Sequence, residues 1–157
     1  MYRPADHILI IFGASGDLTR RKLIPALREL QKLDLLPQGF AVLGIGRSPY
    51  DDESFRKMIA EFGEDMDELL PLLHYHSMDT KAASAYKGLA RRLQQLSKEL
   101  KINPSYLFYL ATPPSLYETI PRLLCTTGLT AEEDGIFRRI IIEKPFGTDH
   151  ATAVDLN

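Results

Sequence analysis

Gly13 and Gly16, three residues apart and followed by Asp17-Leu18-Thr19, form the first chemically suggestive pattern in the chain. Glycines at a strand-to-helix junction let an anion approach the backbone, where unpaired N–H groups and the positive end of the helix dipole attract phosphate. The expected ligand is a phosphate or pyrophosphate. The spacing Gly13-x-x-Gly16-x-x-Thr19 departs from G-x-G-x-x-G, and Thr19 stands where a third glycine or alanine would aid helix–strand packing. Taken alone, two glycines that merely end a strand would look the same. The P-loop pattern G-x-x-x-x-G-K-[ST] is absent.

A second pattern is Gly46-Arg47-Ser48. An acid at this place would accept hydrogen bonds from a free ribose 2′-hydroxyl and repel a 2′-phosphate, whereas Arg47 offers a planar cation, with Ser15 and Ser48 as secondary donors. This favours NADP over NAD, against the alternative of a solvated surface arginine. Asp17 reads as a capping carboxylate at the helix start, and Arg20, Arg21 and Lys22 as a solvated face. The third pattern is Glu143-Lys144-Pro145-Phe146-Gly147, where a lysine at a strand tip, followed by a proline that can be cis, is held rigidly.

Two further groups invite chemistry and are expected to do none. His74 and His76 alternate in a strand and share a face, but no third ligand follows at metal-site spacing, so a histidine hydrogen-bonded at the sheet edge is expected and no metal. Cys125 is the sole cysteine and, among Leu123, Leu124 and Thr126, reads as a small buried hydrophobe.

These residues need a scaffold that brings strand ends together. Ile8–Phe12, Phe40–Gly46, Leu72–His76, Tyr106–Thr112 and Ile136–Ile142 are apolar runs that alternate with helical patterns. The inward residues are expected to be Leu23, Ile24, Leu27, Leu30 and Leu33; then Phe55, Met58, Ile59 and Phe62; then Tyr86, Leu89, Leu93, Leu96 and Leu100; then Leu116, Ile120, Leu123 and Leu124. Pro25 lies far enough inside the first helix to kink it or distort its first turn near Arg21. Another helix is expected to begin around Thr148-Asp149. The pattern implies an α/β fold, a doubly wound, Rossmann-like parallel sheet with strand order 3-2-1-4-5. Ligand would lie at the switch point between strands one and four, and the Gly13, Gly46, Thr112 and Glu143 segments all fall at carboxyl ends of strands.

One domain accounts for all 157 residues, with 45% hydrophobic and 25% charged residues. A net charge of -2 argues against nucleic acid or a membrane surface as partner. With one cysteine, no secretory pattern and no apolar run long enough to span a bilayer, a cytoplasmic protein is expected.

The run from Gly13 to Leu27, with Gly13-Ala14-Ser15-Gly16-Asp17-Leu18-Thr19-Arg20-Arg21-Lys22-Leu23 at its centre, together with Glu143-Lys144-Pro145-Phe146-Gly147, resembles the N-terminal, coenzyme-binding part of the glucose-6-phosphate dehydrogenase family. Glu-Lys-Pro alone also occurs in sugar oxidoreductases of the glucose–fructose oxidoreductase type, which is the alternative; a non-catalytic NADP-binding module is another. The resemblance implies that backbone donors around Gly16, Asp17 and Leu18 meet the dinucleotide phosphates, that Arg47 takes the 2′-phosphate, that Tyr117 lines the coenzyme cleft, and that Lys144 contacts both NADP and glucose 6-phosphate. The family's base lies in an Asp-His motif with a further histidine, and His7, His74, His76 and His150 do not fall in it. No catalytic residue is therefore assigned within the chain, which is expected to bind NADP without turning over glucose 6-phosphate. Apolar surface where the family's larger domain packs is expected to favour self-association into a homo-oligomer.

Overall fold

A strand with no polar interruption has to be covered on both faces, and β1 (His7–Phe12) is buried at every position in the computed structural model, which describes residues 2–144. The same holds for β2 (Phe40–Gly46) up to its last residue. With β3 (Leu73–Ser77), β4 (Tyr106–Leu110) and β5 (Arg138–Ile142) they form one parallel sheet in the order β3-β2-β1-β4-β5. This is the order expected from the alternation of strands and helices. The expected helix around Thr148-Asp149 and the proline at 145 lie outside the described residues.

Helices α1 (Ile24–Lys32) and α2 (Asp52–Ala60) cover one face, packing Ile24, Leu27, Phe55 and Ile59 against β1 and β2. Helices α3 (Ala85–Leu100) and α4 (Thr119–Thr126) cover the other with Tyr86, Leu89, Leu93, Ile120 and Leu124. Pro25 has the anticipated effect. Lacking an N–H, it cannot serve the ordinary helical bond to Arg21, and the chain widens into a π turn over Thr19–Leu23, with Ile24 N–H donating to Thr19 O.

Several residues expected to face inward do not. Leu30 is 39% and Leu33 65% exposed: Leu30 sits about 120° around α1 from Ile24, and Leu33 follows the last helical residue. Phe62 lies beyond the end of α2, half exposed, with the Arg20 guanidinium 4.6 Å above its ring. Leu100, the last residue of α3, is 41% exposed. Cys125 is exposed rather than buried, because Ile120, Leu123 and Leu124 define the inner stripe of α4 and the next residue turns about 100° away from it.

The outer edge of β3 is tied to two helices through one carboxylate. Asp52 accepts from Tyr75 N–H (2.8 Å) and from Arg92 (3.1 and 3.0 Å), and lies 3.0 Å from His74 Nδ1. Asp51 caps α2 by accepting from Ser54 N–H at 2.8 Å, and that bond lowers its pKa. Burial pushes Asp52 upward, but the Tyr75 and His74 hydrogen bonds and the Arg92 charge outweigh it, leaving the carboxyl below its ordinary 3.8. Burial holds His74 below 6.5 against the pull of Asp52, and holds His76 down together with the Arg92 charge.

The signs separate into two windows. Below pH 6.5 the unfolded chain takes up protons that the folded histidines refuse, so stability falls on acidification; the Asp52 contribution is complete above 3.8 and is lost only below that. The urea midpoint should therefore be lower at pH 5.5 than at 7.5, and His74→Gln should reduce the difference. A midpoint with the same pH dependence in both proteins would show that His74 titrates normally.

Candidate functional site

The turn after β1 is built around Gly13. Its φ of +84° is left-handed, and a Cβ there would lie 2.2 Å from Ala111 O, the first residue beyond β4. Gly13 N–H and Ala14 N–H both donate to Ile45 O, at 2.9 and 3.1 Å, which closes the turn against the end of β2. Gly13 O in turn accepts Gly16 N–H and the Thr19 hydroxyl, both at 3.0 Å. The third position of the motif thus works through a buried hydroxyl: Thr19 fastens helix to turn by a hydrogen bond where a small residue would do so by close packing.

Gly16 has an ordinary φ, and a Cβ there would meet only Gly13 O, at 3.2 Å. What it contributes is open space toward the cleft. Because Gly16 N–H is already taken by Gly13 O, the donors left to an anion are the N–H groups of Ser15, Asp17, Leu18 and Thr19, which have no acceptor among the described residues. Asp17 is not the expected cap. Its carboxylate is 71% exposed and pairs with Arg20 at 3.2 Å and Arg21 at 3.8 Å, pointing along the helix surface.

Across the turn, Arg47 stands exposed at the tip of β2, with no ion pair among the described residues. The loop that carries it is pinned. Ser48 Oγ lies 3.5 Å from Ser15 Oγ, and Tyr75 Oη donates to Ser48 O at 2.9 Å. Burial pushes the Tyr75 phenol up to about 12, so it remains a donor at any ordinary pH. Gly46 makes room for it, since a Cβ there would sit 2.7 Å from that hydroxyl.

Gly13, Ser15, Gly16, Arg47 and Ser48 converge on a cleft of about 450 Å³ at the switch point between β1 and β4. Thr112 and Pro113 close its far side, and Asp79 and Lys81 enter from the loop after β3. A cavity of about 500 Å³ at the edge of β3 is lined by Asp51, Asp52 and Glu53, whose charges oppose a phosphate, so size does not decide between the two. Tyr117 does not line the cleft: it is 5% exposed and packed in the core under α3 and α4. Lys144 is exposed just past the end of β5, outside the lining. Its neighbour Glu143 is anchored by Tyr109 Oη, whose pKa burial and that carboxylate push up to about 12.

Sequence reasoning did not single out Tyr75, nor the Asp79–Lys81 loop. A strand-end rule applied to β3 as to the other strands would have pointed to the loop.

The family described as "Glucose-6-phosphate dehydrogenase, NAD binding domain" matches residues 10–157. A glucose-6-phosphate 1-dehydrogenase of Treponema pallidum (strain Nichols) is 45% identical over 164 residues, covering 98% of this chain and 32% of the relative. One from Aggregatibacter actinomycetemcomitans is 42% identical over 157 residues, covering 95% of this chain and 32% of the relative. A solved structure described as glucose-6-phosphate dehydrogenase in complex with its substrate glucose-6-phosphate superposes with a TM-score of 0.83 at 30% identity, covering 99% of this chain and 34% of that one. The chain spans about a third of the length of the relatives it matches.

Proposed function

Because the chain belongs to the glucose-6-phosphate dehydrogenase family through that family's NAD binding domain, we propose that it forms the coenzyme-binding part of an oxidoreductase that uses NADP to oxidise glucose 6-phosphate to its lactone. The nicotinamide coenzyme, when bound, supplies the hydride acceptor. The carrying observation is Arg47: an exposed cation, unpaired among the described residues, stands in the cleft at the end of β2, where an NAD-selective site would present an acid.

The residues fit such a ligand. Gly16 leaves the backbone bare at the cleft, and the N–H groups of Asp17 and Leu18, just behind the lining at the start of the helix, have no acceptor among the described residues and would be open to a pyrophosphate. Ser15 and Ser48 flank Arg47 as hydroxyl donors. Thr112 and Pro113 line the cleft at the end of β4 and would flank the dinucleotide. Lys144, next to the anchored Glu143 past the end of β5, would meet the sugar phosphate and the nicotinamide end. The solved relative bound to glucose 6-phosphate supports that substrate.

Arg47→Ala tests the coenzyme preference. Titration calorimetry should show NADP binding weakened by about 1.5–3 kcal/mol, the scale of a charge-assisted hydrogen bond, with NAD binding nearly unchanged. Equal losses for both coenzymes would remove the assignment of the 2′-phosphate to this arginine.

A further inference from the structure

The loop after β3 brings a second cation to the end of the cleft that holds Arg47. Lys81 lines the cleft beside Ser48 and Arg47 and is exposed. Lys32 and Lys57 pair with Asp65 and Glu53, whereas the Lys81 ammonium makes no ion pair or hydrogen bond among the described residues. The backbone presenting it is well held. Met78 N–H donates to Gly46 O at 2.9 Å, which ties the loop to the end of β2, and Tyr86 Oη donates to Thr80 O at 2.8 Å. Lys81 N–H and Ala82 N–H donate to Asp79, to its Oδ1 at 2.9 Å and its carbonyl at 3.1 Å.

Asp79 lines the same cleft, and its carboxylate opposes any phosphate that Arg47 attracts. Arg47 and Asp79 alone would cancel. With Lys81 the balance becomes positive at the end where NADP carries a phosphate and NAD a hydroxyl. We propose that Lys81 is a second specificity-determining residue, gripping the adenosine 2′-phosphate from the side opposite Arg47. The proposal rests on the coenzyme reading above and adds to it a residue from a different loop.

The test compares Lys81→Met, which keeps the aliphatic stem, and Lys81→Arg with Arg47→Ala, using NADP and NAD as probes in equilibrium titrations at low and moderate salt. Lys81→Met should weaken NADP about five- to tenfold, less than a fully buried contact because the ammonium is solvated, and change NAD by less than about twofold. Lys81→Arg should keep NADP affinity near that of the parent protein, and of the two Lys81 variants only Lys81→Met should show a smaller salt dependence of NADP binding. Equal weakening of both coenzymes would place the lysine on the pyrophosphate or adenine and overturn the proposal. No weakening, with Arg47→Ala still selectively impaired, would overturn it and leave the coenzyme reading standing. Unchanged NADP binding in both Lys81→Met and Arg47→Ala would overturn the coenzyme reading itself.

Discussion

Replacing Gly16 with valine should abolish dinucleotide binding while leaving the chain folded. The backbone at Gly16 has an ordinary φ, so a side chain causes no conformational strain there, and its Cβ would press only on Gly13 O at 3.2 Å, a contact relieved by a shift of a few tenths of an ångström. Its branches would project into the cleft that Gly16 lines, over the approach to the free N–H groups of Asp17 and Leu18. A pyrophosphate excluded from the start of the helix loses both hydrogen bonds and dipole, so affinity should fall about a hundredfold or more, roughly 3 kcal/mol. Gly16→Ala should lie between valine and the parent protein. Coenzyme titration followed by fluorescence, with circular dichroism on the same samples, reads both halves of the expectation; undiminished affinity in the valine protein would move the dinucleotide away from this turn.

Gly13→Ala should do the opposite, damaging the fold first. The left-handed φ of +84° costs a non-glycine residue about 1–3 kcal/mol, and the new Cβ would overlap Ala111 O at 2.2 Å, adding about 1–3 kcal/mol for overpacking. Relief by moving the turn is blocked on both sides, since Gly13 N–H and Ala14 N–H are bonded to Ile45 O and Ala111 N–H to Phe12 O. Against a total stability that for most domains is about 5–15 kcal/mol, such a loss is large. Gly128→Ala separates its two parts: Gly128 also has positive φ, at +78°, but a Cβ there meets nothing within 4 Å. Urea denaturation should show Gly13→Ala distinctly less stable than Gly128→Ala. Equal losses would mean that strand ends β1 and β4 part easily, and that the turn is softer than its hydrogen bonds imply.

The short, β-branched apolar run at β1 and the similar run ending at Gly46 in β2, each closed by glycine, read as strands covered on both faces, and the helical spacing between them left a parallel sheet as the natural arrangement. The widened turn before Pro25 followed from a missing N–H, a property of one residue. Local covalent chemistry and near-neighbour periodicity thus determined the elements, their order and the cation at the tip of β2. Tertiary structure alone decided which groups are spent and which remain available. Gly16 N–H turns back to Gly13 O, Asp17 pairs with Arg20 in place of capping, and Tyr117 packs in the core while Cys125 faces solvent. Above all, Lys81 joins Arg47 because Met78 N–H finds Gly46 O across the sheet. That last pairing depends on the register between segments some thirty residues apart, and its free energy is shared among many contacts, so no spacing within a single segment records it.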